Sequence, residues 1–155
     1  MIKPITDFVK QFNASFSWDE RLIVWKKNRY FLITGNMKRL LNEGFFYVGT
    51  YLGKVKSEQF FPSFSLLQMV SEQQTNKVYV DRKSAWLFIC GRDIFKRGIV
   101  RAKGAKGEGS YTLVLNEYEE CLGFGRIVCD LDMAEGGVAV KNISDVGDFL
   151  RRERR

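Results

Sequence analysis

The 155-residue chain contains no histidine, and this absence removes several kinds of chemistry at once. Histidine is the commonest general base in enzymes, the central residue of serine and cysteine triads, and a frequent zinc ligand. An enzyme built from this chain would have to use carboxylates, lysine or a thiol alone. We therefore expect a protein that is not an enzyme.

Cysteine is scarce as well. The three cysteines, Cys90, Cys121 and Cys129, cannot all pair with one another, and their spacings match no metal-ligand pattern. Cys90 follows an apolar segment, which predicts a buried free thiol there. The sequence predicts no metal site, and the thiols indicate a reducing compartment.

The remaining candidates for catalysis and cofactor binding are weak. Glu119-Glu120 and the pair Asp130/Asp132 are the visible acid pairs. Adjacent residues on a strand point to opposite faces, and carboxylates two residues apart on one face are usually solvated. The glycines of segment 104–109 fit neither of the common phosphate-binding loop patterns. We therefore predict no catalytic residue and no cofactor.

Long apolar runs are also missing. Near Met1 there is no basic stretch followed by the 7–15 apolar residues of a secretory signal. No run approaches the roughly 20 apolar residues that a spanning helix requires. We expect a soluble monomer with no membrane partner.

Positive charge is what the chain has in excess. Its 25 Lys and Arg residues outnumber 18 Asp and Glu residues, giving a formal charge of +7 and a pI near 9.4. Such a balance favours a polyanionic partner. Between residues 82 and 106 there are eight basic residues and one acid, and between 108 and 148 there are nine acids and two basic residues. Basic blocks on one face would hold RNA in a fixed orientation, because the acidic stretch repels phosphate elsewhere.

The first half of the chain opens with a helical pattern. Ile5, Phe8, Val9, Phe12 and Phe16 recur at steps of three and four residues, which predicts an amphipathic helix with one face in the core. Two short apolar runs at 22–25 and 30–34, separated by a charged turn, predict a hairpin.

Two more helices are predicted before the midpoint. Asn36 can cap a short helix that turns Met37, Leu40 and Leu41 inward. After a strand predicted over 45–56, Ser65 and Gln68 have the spacing of a capping box at the start of another helix. The polar run 71–76 that follows predicts a domain boundary, with the two halves packed together across a short connection.

The second half shows an ordered series of features that resembles a PUA domain, an RNA-binding module named after pseudouridine synthases and archaeosine transglycosylases. A strand and a short apolar helix lead into a loop that begins at Gly91, and a Gly-rich strand, a last core strand and a closing helix follow. These features lie at Lys77–Asp81, Ser84–Cys90, Gly91–Gly98, Leu122–Gly125, Gly137–Val140 and Val146–Arg152.

The PUA resemblance implies where RNA would bind. In that family the loop after the first helix, together with the next strand, lies on the nucleic acid. Residues that match this surface would contact phosphate, Gly98 would allow close approach of the backbone, and two C-terminal arginines would extend the surface. The implied RNA-binding residues are Lys96, Arg97, Gly98, Arg101, Lys103, Arg151 and Arg152.

The first half adds a second resemblance. The runs RLIVW and YFLIT, followed by YVGTYLGKVKSEQFFPSFSLLQMV, are similar to the Nip-seven family of large-ribosomal-subunit biogenesis factors. This likeness implies a non-catalytic factor that binds precursor rRNA and meets ribosome assembly proteins through its N-terminal domain. It also implies an archaeal cytoplasmic protein, or a nucleolar one in a eukaryote.

The predicted fold class is therefore α+β, with a small N-terminal α/β pre-PUA domain over residues 1–75 and a C-terminal PUA β-barrel over residues 77–155. Two other functions stay open at this point. The chain could be a PUA-containing translation factor that binds the 3′ end of tRNA, or the RNA-binding subunit of an RNA-modifying enzyme.

Overall fold

Two sheets and four α-helices make up the part of the chain described by this computed structural model, residues 2–44 and 47–153. The side chains at positions 43, 149, 150, 152 and 153 lie outside that description. The helices are α1 (Lys3–Lys10), α2 (Phe64–Ser71), α3 (Arg82–Ile89) and α4 (Val146–Glu153). The strands are β1 (Ile23–Lys26), β2 (Arg29–Leu32), β3 (Thr50–Lys56), β4 (Gln59–Pro62), β5 (Lys77–Val80), β6 (Ile94–Phe95), β7 (Ile99–Lys103), β8 (Tyr111–Leu115), β9 (Cys121–Ile127) and β10 (Val138–Asp145). Short 3₁₀ segments lie at Glu20–Leu22, Gly35–Glu43 and Lys96–Gly98.

The N-terminal half is an antiparallel sheet, ordered β1-β2-β3-β4, that α1 and α2 cover on one face. The predicted opening helix is confirmed, with Ile5, Phe8 and Val9 buried along one side. Pro4 lies in its first turn, where a missing N–H costs nothing. The helix ends at Lys10, yet Phe12 beyond it is also fully buried.

The helix predicted from Asn36 differs from the structure. Thr34 precedes a 3₁₀ segment that begins at Gly35, and both Leu40 and Leu41 are exposed. With three residues per turn, a 3₁₀ segment does not hold the apolar stripe that an α-helix would form. The inward orientation predicted for these leucines is therefore wrong. The strand predicted over 45–56 begins at Thr50, and its first two residues lie outside the described part.

The start of α2 also differs from the prediction. Ser63, not Ser65, caps the helix, and its hydroxyl accepts a hydrogen bond of 3.1 Å from the Leu66 N–H. Ser63 has the extended backbone that a cap requires, because it directly follows β4. The Gln68 side chain instead accepts a 3.0 Å hydrogen bond from the Cys121 N–H in the second sheet.

The C-terminal half is a six-stranded sheet ordered β6-β10-β9-β8-β5-β7, antiparallel except for the parallel pair β5 and β8. The sheet curls around its own core with α3 packed against it, and α3 is capped by Asp81, whose carboxylate accepts a 2.7 Å hydrogen bond from the Ser84 N–H. This arrangement confirms the predicted α+β class. The enclosed core side chains are Val78, Val80, Phe88, Ile94, Val114, Ile127, Leu131, Ala139 and Val140.

The two halves share one core. The rings of Phe8 and Phe12 pack edge-on against Phe124 of the second sheet, with centroids 5.4 and 5.6 Å apart. The carbonyl of Phe12 accepts hydrogen bonds from the Thr75 hydroxyl at 2.6 Å and from the Asn76 N–H at 2.8 Å. Side chain and backbone at Phe12 therefore tie the first helix to the connection and to the second sheet.

Replacing Phe12 with alanine should destabilise both halves together. Removing a fully buried phenylalanine typically costs about 3–5 kcal/mol. We expect a loss of that size in urea denaturation, with circular dichroism and tryptophan fluorescence reporting one coincident transition. Gln11→Ala, at an exposed neighbouring position, is the control and should be close to neutral. Two separated transitions in the wild-type protein would contradict a shared core.

Candidate nucleic-acid interface

The predicted contact loop, Gly91–Gly98, contains the two-residue strand β6 and ends in the 3₁₀ turn Lys96–Gly98, which leads into β7. The Lys96 N–H donates a 2.8 Å hydrogen bond to the Gly137 carbonyl, which ties the turn to the start of β10. Lys96 is half-buried and Arg97 is exposed. The Arg97 guanidinium carbon lies 5.8 Å from the centroid of the exposed Phe95 ring, within the range of a cation–π contact.

Gly98 has a packing role in this turn. It is buried, and a Cβ placed on it would lie 2.0 Å from the Ser84 hydroxyl oxygen on α3. Its carbonyl accepts a 2.9 Å hydrogen bond from the Asp81 N–H. The turn therefore requires glycine in order to seat against the first turn of α3, a reason that sequence inspection did not supply. Close approach of RNA at Gly98 stays a prediction.

Arg101 and Lys103 lie side by side on the edge strand β7. Their register partners on β5 are Tyr79 and Lys77. The Arg101 guanidinium carbon lies 4.0 Å from the centroid of the Tyr79 ring, and the Lys103 ammonium lies 5.8 Å from it. Because Tyr79 is buried in the shared core, its ring holds both cations against a fixed support.

Arg101 and the neighbouring Lys77 also contact carboxylate or backbone groups. Glu119 lies 3.5 Å from the Arg101 guanidinium, and both side chains are exposed. The Lys77 ammonium donates hydrogen bonds to the Ser71 and Gln73 carbonyls at the end of α2. Burial, and then the charges of Lys103 and Arg101, lower the pKa of Lys77. Positive charge is therefore concentrated along this edge of the second sheet.

The structure brings three basic residues around one surface depression of about 160 Å³. Lys96, Arg101 and Lys106 line it together with apolar groups of β7 and with Leu131. Lys106 also lies 3.5 Å from Asp132. Lys96 and Arg101 both line this depression, and their contact with RNA stays a prediction. Lys106 was not among the named contact residues, because the sequence placed it in a mobile hairpin tip.

Trp86 is a second residue that the sequence did not single out. It is 65% exposed on α3, four residues after Arg82 and three after Lys83, so all three share one helix face. The cap at Asp81 sets this register, since it fixes the start of α3 and turns Phe88 into the core. Recognising that cap from the sequence would have shown that Trp86 points outward.

Arg151, the first of the two predicted C-terminal arginines, makes hydrogen bonds within the protein. Asp145 is 2% exposed and caps α4 by accepting a 2.9 Å hydrogen bond from the Asp148 N–H. Arg151 lies 2.9 Å from the Asp145 carboxylate and donates a 2.7 Å hydrogen bond to the Ile89 carbonyl. It therefore docks α4 on the end of α3 opposite to the contact turn. The Arg152 side chain lies outside the described residues.

The cysteines are all free, but their burial differs from the expectation. Cys90 is exposed, so its predicted burial is wrong; it lies just past the end of α3, where the helix has turned Phe88 inward. Burial raises the pKa of the Cys121 thiol to about 12. Within residues 2–44 and 47–153, no three histidine, cysteine or acidic side chains lie close enough together to hold a metal ion. No helix in those ranges is long and apolar enough to cross a membrane.

This curled sheet with its contact turn and closing helix defines a PUA-domain protein. The family model of the UPF0113 PUA domain matches residues 76–154. The chain belongs to the UPF0113 PUA-domain family. The predicted PUA domain is thereby confirmed, and the more specific likeness to the Nip-seven family stays a prediction.

Relatives support the same assignment. The chain is 32% identical to a UPF0113 protein of Archaeoglobus fulgidus over 112 residues, which cover 70% of this chain and 63% of that protein. The match therefore spans less than two thirds of the relative's length. A conserved PUA-domain protein of Thermoplasma acidophilum is similar in structure, with a TM-score of 0.62 at 19% identity over 97% of this chain and 92% of that one. A hypothetical protein of Pyrococcus horikoshii OT3 has a TM-score of 0.59 at 18% identity over 100% and 97%.

Arg151→Gln should clearly lower the free energy of unfolding, and it should change RNA affinity little. The substitution removes charge-assisted hydrogen bonds to a buried carboxylate, each worth about 1–3 kcal/mol. We expect a clear drop in the urea midpoint, with Arg126→Gln, at an exposed arginine of β9, as the charge-matched control. A wild-type midpoint combined with a large loss of RNA affinity would contradict the docking role and restore Arg151 to the interface.

Proposed function

We propose that this protein is a non-catalytic RNA-binding factor that acts on precursor rRNA of the large ribosomal subunit. The observation that carries the proposal is the grouping of Lys96, Arg101 and Lys106 around one depression of a PUA domain. PUA domains are generally RNA-binding. Lys96, Arg97, Arg101 and Lys103 would contact phosphate. Arg97, Arg101 and Lys103 are exposed, and the Tyr79 ring supports Arg101 and Lys103.

The acidic residues support the non-catalytic part of the proposal. Glu119 faces Arg101, and Asp132 faces Lys106, in each case as an exposed ion pair. Catalytic carboxylates are instead usually held in a cleft where burial or a like charge shifts their proton affinity. These acids neutralise the margin of a basic surface, and an exposed pair of this kind is weak enough for a phosphate to displace it.

The ribosomal part of the proposal rests on the likeness of the first half to the Nip-seven family. An archaeal cytoplasmic protein would fit the archaeal sources of the relatives above. In this proposal, assembly proteins dock on the N-terminal half at the edge strand β1, where Trp25 is 52% exposed. An edge strand offers backbone groups to a partner chain, and an exposed tryptophan suits the centre of such a contact.

Replacing Lys96 and Arg97 with alanine should weaken RNA binding and flatten its salt dependence. Each lost phosphate contact reduces the number of counterions released on binding. The slope of log K against log salt should therefore become less negative by about one to two units. Affinity measured across a salt series provides the test. Lys10→Ala with Lys141→Ala removes the same charge from exposed positions on α1 and β10, and it should change the slope much less. Equal effects of the two variants would refute an oriented site.

Cross-linking in cells should recover precursor rRNA of the large subunit. The wild-type protein and the Lys96→Ala, Arg97→Ala variant are cross-linked in parallel, and the bound RNA is sequenced. We expect pre-rRNA reads that the variant loses. Enrichment of tRNA 3′ ends, or of a single modified site, would overturn the ribosomal proposal while leaving RNA binding intact.

A further inference from the structure

The first sheet has an outer face that α1 and α2 do not cover. Along β2, Tyr30 and Leu32 point into the shared core, so Arg29 and Phe31 point to the opposite side. Register places Val24 and Tyr51 beside Phe31 on this side. We call the side that carries Arg29, Phe31 and Tyr51 the outer face.

A row of cations crosses the outer face. In the strand register, Lys26 of β1 lies opposite Arg29 of β2, and Arg29 lies opposite Lys54 of β3. Lys54 in turn lies opposite Phe61 of β4. Adjacent strands are about 4.8 Å apart, so the three basic residues span about 10 Å. The row therefore carries positive charge across three strands of the sheet.

An aromatic cluster lies one row along from the cations. Phe31 is 1% exposed, and its ring centroid lies 5.0 Å from that of Tyr47 and 5.7 Å from that of Tyr51. The two tyrosine rings are 6.1 Å apart, and Tyr47 is 57% exposed. Phe31 thus supports two tyrosine rings at the surface.

The electrostatics of Tyr51 link the two rows. Burial raises the pKa of the Tyr51 phenol, and the nearby Arg29 guanidinium opposes that shift. Tyr51 and Arg29 are therefore neighbours on the outer face.

The sequence concentrates charge on this part of the chain. From Lys26 to Lys56 there are seven basic residues and one acid. The segment therefore has a net charge of +6. Asp148 of α4 lines a groove with Lys54 and Phe61, and this groove marks the acidic border of the outer face.

We propose that the outer face of the first sheet binds single-stranded RNA, with bases stacked on Tyr47 and Tyr51 and phosphates on Lys26, Arg29 and Lys54. This inference rests on the proposed RNA-binding function and adds a second contact surface to it. Aromatic rings beside a basic track are the usual means of holding unpaired nucleotides. A duplex hides its base faces, so the rings favour single strands.

The test uses a 12-nucleotide oligouridine and a duplex RNA of the same length. Tyr47→Ala removes an exposed ring that packs on Phe31, and it should weaken oligouridine binding about five- to a hundredfold. Tyr47→Phe keeps the ring and should bind like the wild type. Duplex binding should change little in either variant. Wild-type oligouridine affinity in Tyr47→Ala would overturn the proposal and leave the outer face to a protein partner.

The charge row is tested separately. Lys26→Gln with Arg29→Gln should lower the oligouridine salt slope by about one to one and a half units, since each single-strand contact contributes about 0.7. Lys10→Gln with Lys141→Gln is the matched control and should leave the slope nearly unchanged. Equal effects of the two pairs would overturn a directed contact. Thermal melts check that each variant is folded.

Failure of this inference can be told from failure of the proposed function. Cross-links of 4-thiouridine RNA, mapped by mass spectrometry, should fall both near Tyr47 and Tyr51 and near Lys96. Cross-links confined to the C-terminal half would overturn the outer-face site alone. Cross-links confined to residues 24–61, with wild-type binding by Lys96→Ala, Arg97→Ala, would instead overturn the proposed PUA interface.

Discussion

The structure depends on the packing and hydrogen-bond contacts that Phe12 makes. Its ring fills the space between the helix-covered sheet and Phe124, and its carbonyl is the common acceptor for Thr75 and Asn76. An apolar side chain and a backbone acceptor at one residue therefore fix both distance and register between the halves. Tyr79 and Leu113 of the second sheet belong to the same buried cluster. The fold is better described as one body with two sheets than as two modules on a tether.

Fixed packing of the halves gives the two basic surfaces a fixed relation. Tyr79 belongs to the shared core, and the same ring supports Arg101 and Lys103 at the edge of the second sheet. On the far side of the first sheet, Phe31 is buried beneath Tyr47 and Tyr51. In both places a buried aromatic ring holds exposed groups in position. If both proposed surfaces bind RNA, the shared core sets the distance between them.

Much of the fold could be predicted from the sequence, because the signals were local or ordered along the chain. The opening stripe of Ile5, Phe8 and Val9 and the series of PUA features are of this kind. The inward orientation predicted for Leu40 and Leu41 was wrong because their segment is a 3₁₀ helix, which lacks the α-helical period that the prediction assumed. The roles of Arg151 and Gly98 could not be predicted from the neighbouring sequence. Arg151 binds a buried carboxylate, and Gly98 packs against a serine on α3. The depression at Lys106 likewise exists only once the strands have paired.

The ion pair between Arg101 and Glu119 affects how a phosphate would bind at Arg101. Because the guanidinium already faces a carboxylate 3.5 Å away, a phosphate arriving there takes part in an exchange of partners rather than a simple addition. Glu119 holds a left-handed backbone conformation, with φ near 62°, in the turn before β9, and the Asn116 carbonyl and side chain bond to the N–H groups of that turn. The carboxylate is thus kept close by. A weakly held anion gains little from such an exchange, whereas a strand anchored elsewhere brings its phosphate at high local concentration. In the proposed interface, Arg101 would therefore favour RNA that is already anchored over a free anion, by at most the roughly 1 kcal/mol that an exposed ion pair contributes.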